Sequence, residues 1–468
     1  VLPEKQDASG ENPTSSDKKN DGIDSELSST ERPAQFSDED LALALTGDHH
    51  SDLKYVSDWG RWQIWNGKRW SSDNTLRVIS LARKIARGAS RQVLRFDKAK
   101  YSLARSVASV RTVAAIEKLA RADRRLASRT EDWDADPWIL NTPNGVVDLK
   151  TGDILPHARD RYCTKITAVS PEGNCPLWLE FLNEISNGDQ EWIKYVQRVL
   201  GYSLTGITEE HALFFGWGKG ANGKGVLFNT LHHIMGDYSA VASMETFIVV
   251  KNERHPTDLA MLRGARVVIA QETEKGQRWA EAKIKALTGG DPITARFMRQ
   301  DYFTYVPQFK LMIAGNHKPG LRNVDEAIRR RFNLIPFSVT IPKNKRDKKL
   351  SKKLETEWPG ILAWYIQGCL EWQHIGLAPP ATIVAATDDY LLSEDALGRF
   401  IDECCEIVLS DFFEEVEKLY KSWKNWCDKN GEFCGSVKDF SQNLDDRSFK
   451  RMKHPVNRRS CFVGLRLR

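Results

Sequence analysis

Ala212-Leu-Phe-Phe-Gly216 is a short apolar run, and beyond Trp217 it meets Gly218-Lys-Gly-Ala-Asn-Gly223-Lys224-Gly225, followed by Val226-Leu-Phe-Asn-Thr-Leu231. The first run reads as a buried strand and the last as a helix, because its apolar residues recur at helical spacing. Strand, glycine-rich loop and helix in that order are the context a phosphate-binding loop requires. Glycines let successive backbone N–H groups wrap phosphate oxygens, the helix N-terminus adds positive potential, and Lys224 brings a point charge to the β- and γ-phosphates. The expected nucleotide-binding set is therefore Gly218, Gly220, Ala221, Asn222, Gly223, Lys224, Gly225 and Val226, with ATP and Mg2+ as cofactors. Gly225 departs from the usual pattern, in which a Ser or Thr hydroxyl ligates Mg2+. The metal must then lean on water and on carboxylates from elsewhere.

Three further segments follow within about a hundred residues. Arg266-Val-Val-Ile-Ala270 reads as a buried strand ending in Gln271-Glu272, and in an open α/β sheet that end faces the ligand crevice. Glu272 is expected to orient or deprotonate the attacking water and to reach Mg2+, if at all, through water. Gln271 stands where a second acid would often help hold the metal. Phe309-Lys-Leu-Met-Ile-Ala314-Gly315 is another apolar strand, with Asn316 at its end to touch the γ-phosphate or the lytic water. Asp325-Glu-Ala-Ile-Arg329-Arg330-Arg331 then leads into Phe332-Asn-Leu-Ile-Pro336-Phe337. A guanidinium from this cluster, delivered by a neighbouring subunit, can neutralise transition-state charge; a solvated basic turn is the competing reading.

Upstream, Val1 to about Pro33 is rich in Ser, Asp, Glu, Lys and Asn and nearly devoid of large apolar residues, so it is expected to be a disordered leader. Trp59-Gly-Arg-Trp62-Gln-Ile-Trp65-Asn-Gly-Lys-Arg-Trp70 carries an Asn-Gly hairpin signal. Its aromatics and cations suit either a base-stacking platform or, the favoured reading, a small β-element packed by its own tryptophans. Leu76 to Leu126 reads as helices with a basic face of Arg83, Lys84, Arg87, Arg91 and Arg95, for which solvation is the default. Asp132-Trp-Asp134-Ala-Asp136 resembles a two-metal acidic strand but runs into Pro137, which favours an acidic turn. Asn144-Gly145 marks a second hairpin, and Trp178 to Leu204 returns to helical spacing.

Composition excludes some classes. The chain has 468 residues, enough for about three domains, and its 41% hydrophobic and 28% charged residues suit a soluble globular protein. No apolar run is long enough to span a membrane, and the first residues lack a signal-peptide core. Eight cysteines without paired spacing suggest reduced thiols in a cytosol-like compartment. Cys427, Cys434, His454 and Cys461 are too irregularly spaced to favour zinc. A formal net charge of +5 does not by itself mark a nucleic-acid binder. The lysine-rich Lys343–Lys353 stretch suits a solvated linker. Arg447 to Arg468 holds eight Arg or Lys and no acid, and fits either a DNA-touching surface or a soluble face.

The order Gly218 to Gly225, Gln271-Glu272, Leu287-Thr-Gly-Gly-Asp291, Gly315-Asn316 and Arg330-Arg331 resembles a superfamily 3 helicase, and within that group the phage and plasmid primase-helicases related to poxvirus nucleoside triphosphatases. Trp62 to Trp70, Asn144 to Asp148 and Gly201 to Gly206 are similar to that family's collar region, and Phe433 to Leu467 to its C-terminal winged helix. The resemblance implies an α/β fold with an AAA+ P-loop motor, a mainly helical N-terminal collar and a C-terminal winged helix. The expected boundaries are a leader at 1–35, a collar at 36–204, a motor at 205–345, a helical lid at 346–395 and a winged helix at 396–468. It also implies a ring, hexameric in the family, moving 3′ to 5′ on single-stranded and forked DNA in a bacterial host cytoplasm. Lys224, Glu272, Asn316, Arg330 and Arg331 are its catalytic set, with Asn316 the sensor and one of the arginines acting in trans. The segment Ile293 to Tyr305 is the expected DNA hairpin, and Lys285, Arg296, Arg299 and Tyr302 the expected DNA contacts. No primase-like region is recognised here, so priming would come from a separate segment or protein. A ring-forming initiator with weak hydrolysis, and an ATPase that remodels RNA or protein, are the alternatives.

Overall fold

The computed structural model describes residues 33–250, 257–299, 301–322, 324–408, 412–455 and 457–468. The expected leader therefore lies almost wholly outside the described residues. The chain divides into two compact units, one of Val1–Gln63 with Ser72–Ser128, the other of Ile64–Ser71 with Arg129–Arg468.

The first unit is mainly helical. Ser37 caps the helix Asp38–His49 by accepting from the Asp40 amide. Asp73 accepts from the amides of Arg77 and Val78, at 2.9 Å each, and so holds the start of the long helix Arg77–Phe96. That helix buries Val78, Ala82, Ala86, Ala89 and Val93, a narrow stripe of mostly small residues. Tyr101–Val107 and Val110–Ala120 complete the bundle, and Leu53–Val56 pairs in parallel with Ala127–Ser128. The Trp62 indole donates to the buried Glu117 carboxylate at 2.5 Å.

The second unit is organised by a five-stranded sheet of β1 (Leu213–Trp217), β2 (Ser239–Val241), β3 (Val267–Gln271), β4 (Lys310–Gly315) and β5 (Phe332–Pro336), in the order β5-β1-β4-β3-β2. Every pair is parallel. Such strands are covered on both faces, and alternate residues supply two cores. Phe214, Ile269, Met312 and Ile335 face helices Pro176–Ile185, Gln190–Tyr202, Lys224–Met235 and Trp358–Ile375. Phe215, Val268, Ile313 and Leu334 face Trp279, Ile284 and Tyr390.

The boundary expected at residue 204 is not where the compact units divide. Residues 129–204 share their core with the sheet, and they include a three-stranded antiparallel sheet, so this part is not mainly helical. Backbone proximity is the cause. A Cβ on Gly201 would stand 2.1 Å from the Cys369 amide nitrogen, and one on Gly368 2.1 Å from the Gln197 carbonyl oxygen. Helices Gln190–Tyr202 and Trp358–Ile375 thus meet through bare backbone.

The tryptophan stretch packs. Trp70 is buried against Trp133 and Tyr162, and its indole donates to the Arg159 carbonyl at 2.9 Å. Asp132 and Asp136 accept the nearby amides of Arg129 and Trp138, as an acidic turn would, whereas Asp134 accepts the distant Thr164 amide and so ties the turn to the chain after Cys163. Cys427 packs into the C-terminal core with Phe400, Trp423 and Phe440, around helices Val416–Asn430 and Val437–Asp446 and the antiparallel strands Phe413–Glu415, Ser460–Val463 and Lys450–Lys453. Among the described residues, no helix is long and apolar enough to cross a membrane.

Candidate phosphate site

The strand ends are level: Trp217 pairs with Gly315 and Pro336, and Ala314 with Gln271, so the polar residues just beyond them emerge along one edge. The glycine loop leaves β1 at this edge and ends at Gly223, whose left-handed backbone (φ 83°) caps helix Lys224–Met235. A side chain there would also collide with Ile185 at 2.5 Å. Ala221 takes a left-handed φ of 52° as well. Asn222 is buried and donates its amide to the Phe337 carbonyl at 3.2 Å, fastening the loop to the end of β5. Among the described residues, the amides of Gly220, Ala221, Asn222 and Gly223 donate no hydrogen bond. The first helical amides have no intrahelical acceptor either. Loop and helix start therefore present a run of unspent donors, which is what an oxyanion needs.

Lys224 is buried, and its ammonium donates to the Gly218 carbonyl at 2.6 Å and to the side-chain oxygens of Asn222 and Asn316 at 3.2 Å each. Burial pushes its pKa down to about 8. The structure thus brings together the lysine of the loop and the polar residue at the end of β4. Gly225 is exposed, with nothing within 4 Å of an added Cβ. Val226 lies in the first helical turn.

Glu272 is exposed and stands in left-handed backbone (φ 72°), pinned by its amide to the Ala314 carbonyl at 3.1 Å. For a non-glycine residue that conformation costs about 1 kcal/mol, and it turns the side chain out of the strand line. Gln271 donates to the Asn229 side chain at 3.0 Å, which ties β3 to the loop's helix. Thr273 escaped the reading of the sequence. Its buried hydroxyl donates to the His317 carbonyl at 2.5 Å and accepts from the His317 amide, locking the residues after β3 to those after β4. A short hydroxyl two positions beyond a strand carries no pattern of its own.

Other expected residues divide. Arg331 is buried and donates to the Thr288 hydroxyl at 3.1 Å and the Ala327 carbonyl at 2.8 Å, so it is spent within the fold, whereas Arg330 is exposed. Lys285, expected to contact DNA, is paired with Asp325, the residue that caps helix Glu326–Arg329, and so braces the arginine segment. The hairpin itself forms: Ile293–Ala295 pairs antiparallel with Phe303–Tyr305. Near its tip Met298, Arg299 and Tyr302 are exposed, and the Arg296 guanidinium lies 4.6 Å from the Tyr302 ring centre. Gln300 falls outside the described residues. In the basic tail, Arg447, Arg451 and Arg459 pair with Asp395, Asp445 and Glu415, so part of that charge is used internally.

Fold and site define a doubly wound α/β protein with a loop of unspent amide donors around a buried lysine at the carboxyl edge of its sheet. Residues 42–187 match the family model described as D5 N terminal like, and residues 217–331 one described as a family of unknown function (DUF5906), together more than half of the chain. A protein of Acanthamoeba polyphaga mimivirus that carries a provisional helicase designation is 25% identical over 342 residues, which is 67% of this chain and 35% of that protein. One of Frog virus 3 with a similar designation is 23% identical over 263 residues, 52% of this chain and 27% of its own length. This chain thus spans about a third of the curated relatives it matches. Among solved structures, the apo C-terminal region of NrS-1 aligns with a TM-score of 0.50 at 11% identity, over 92% of this chain and 100% of that one. The chain thus carries a D5 N-terminal-like region ahead of a region matched by DUF5906, and it is similar to viral proteins with provisional helicase designations.

Proposed function

We propose that the chain is an ATP-hydrolysing motor of the AAA+ type that moves along single-stranded DNA and opens forked DNA during replication of a phage, plasmid or other mobile element. The observation that carries this reading is the contact of Lys224 with Asn316 beneath a loop of undonated amides. When ATP enters, its phosphate oxygens take the place of the Gly218, Asn222 and Asn316 oxygens around the Lys224 ammonium. Asn316 is then released toward the γ-phosphate. Glu272 accepts the proton of the attacking water. Exposed Arg330 reaches the γ-phosphate of a neighbouring subunit, and Arg331 holds the segment in shape. Mg2+ supplies charge neutralisation on the phosphates when bound; such an ion keeps several waters and needs few protein oxygens, which fits Glu272 acting through water.

The hairpin of residues 293–305 supports a single-strand substrate, because it offers cations for phosphates beside aromatics for bases. A ring, hexameric as in the family, and 3′-to-5′ movement follow from the family reading, as does a winged helix built from the C-terminal helices and strands. The missing hydroxyl at Gly225 and the amide at Gln271 favour one second reading, a DNA-binding initiator with weak turnover.

The test is ATP hydrolysis with and without oligo-dT. Wild type is expected to hydrolyse ATP faster with DNA, Lys224→Ala to lose turnover, and Glu272→Gln to keep nucleotide binding while losing hydrolysis. Wild-type turnover in Lys224→Ala would overturn the motor. Slow turnover that DNA does not stimulate, with intact DNA binding, would favour the initiator.

A further inference from the structure

Helix Arg77–Phe96 carries Arg83, Arg87, Arg91 and Arg95 at strict four-residue spacing on its exposed side, with Lys84 beside them. Four residues advance a helix by about 6 Å, so the guanidinium row spans about 18 Å. Like charges at this spacing repel and weaken a helix. Packing does not require them, since the buried stripe consists of Val78, Ala82, Ala86, Ala89 and Val93. Among the described residues, none of the four arginines has an acidic partner within ion-pair distance. From Arg77 to Val107 the sole acid is Asp97, and its carboxylate is occupied by the Ala99 amide. At the end of the row the chain bends into helix Tyr101–Val107, and there Phe96 is 70% exposed and Tyr101 67% exposed, beside Lys98 and Lys100. Two bare aromatic rings among cations at one end of an unneutralised arginine row are wasteful as a merely solvated surface.

We infer that this face of the first unit is a second single-strand nucleic-acid site, distinct from the 293–305 hairpin, in which the arginine row follows the phosphates and Phe96 and Tyr101 stack on bases. It rests on the reading of the chain as a DNA motor only for the identity of the strand. The site would hold the strand outside the nucleotide cycle.

The test uses the full chain and a fluorescent oligo-dT, titrated from 50 to 200 mM salt. Arg83→Gln, Arg87→Gln, Arg91→Gln and Arg95→Gln are combined in one variant; glutamine keeps helix propensity and removes the repulsion, so the fold is retained. Each lost phosphate contact on a single strand removes about 0.7 from the slope of log affinity against log salt. The combined variant is expected to lower that slope by about 3 and to lose at least about tenfold in affinity at 50 mM salt. Phe96→Ala with Tyr101→Ala is expected to weaken binding with the slope unchanged. Wild-type affinity and slope in the arginine variant would overturn the site, whatever the ATPase shows. Equal losses on blunt duplex and on oligo-dT, with the aromatic variant neutral, would overturn the single-strand assignment. Absent ATP hydrolysis in wild type, with the arginine variant still losing oligo-dT, would defeat the motor reading and leave this site standing.

Discussion

Lys224 is the residue on which charge, burial and contact converge. With its pKa pushed down to about 8 by burial, the empty site gives up its proton as pH rises through that value. Phosphate favours the charged form, so above about pH 8 nucleotide binding must be accompanied by proton uptake. Affinity for a fluorescent ATP analogue should therefore be flat from pH 7 to 8 and then fall, approaching tenfold per pH unit. Lys224→Arg, always protonated, should flatten the profile even if it binds more weakly. A flat wild-type profile to pH 10 would show that the lysine keeps its proton. Gly225 offers the complementary change. Since nothing lies within 4 Å of an added Cβ, Gly225→Ser should fit and gain about 0.5 kcal/mol of stability from helix propensity. If the absent hydroxyl weakens the metal, this variant should also reach half-maximal turnover at lower Mg2+; an unchanged Mg2+ requirement would separate the glycine from the metal.

Among the elements, helices Gln190–Tyr202 and Trp358–Ile375 decide how residues 129–204 attach to the sheet. Gly201→Ala puts a methyl where 2.1 Å separates it from the Cys369 nitrogen, which no rotamer change relieves, because the obstacle is backbone. Overpacking of this kind costs about 1–3 kcal/mol, and more where helices must separate. Thermal unfolding should begin several degrees lower, while Gly88→Ala, on an exposed helical site with nothing within 4 Å, should raise it or leave it unchanged. An unaltered Gly201→Ala transition would show that the helices yield freely. The same helices mark how far the sequence could be read. The strand, loop and helix around Gly218, the apolar runs that became β3 and β4, and the hairpin at 293–305 were legible because period and punctuation are local signals, whereas β5 reads only as the segment after the arginines. The close approach at Gly201 and Gly368 was not, since nothing in the chain announces that two glycines far apart will face one another. Arg266 and Lys310 were equally opaque. Both are buried at the starts of strands, and Lys310 donates to carbonyls at 205 and 207, with burial pushing its pKa well below the ordinary value. Reading alone gives charges to solvent, and only the fold shows which carbonyls are waiting for them.

For the whole molecule the open question is whether one subunit completes the site of the next. Arg330 and Arg331 are adjacent, yet Arg331 is buried on Thr288 and Ala327 while Arg330 is exposed. Under the ring reading this separates their defects. Arg331→Ala leaves Thr288 and the Ala327 carbonyl without their donor and should lower stability by about 1–3 kcal/mol, with any loss of turnover following from misfolding. Arg330→Ala should leave melting and ATP binding intact and cut hydrolysis about a thousandfold, as removal of an arginine finger does. Mixing tests the direction of the contribution. A Lys224→Ala subunit keeps a sound Arg330, and an Arg330→Ala subunit keeps a sound loop, so rings containing both hold some interfaces with a good lysine on one side and a good arginine on the other. Hydrolysis should return when two inactive proteins are combined, rising with the fraction of complementary neighbours. If mass measurement shows mixed assemblies and hydrolysis stays absent, Arg330 serves its own subunit or DNA. If Arg330→Ala alone hydrolyses ATP at the wild-type rate, the exposed arginine is a solvated turn and the interface draws its charge from elsewhere.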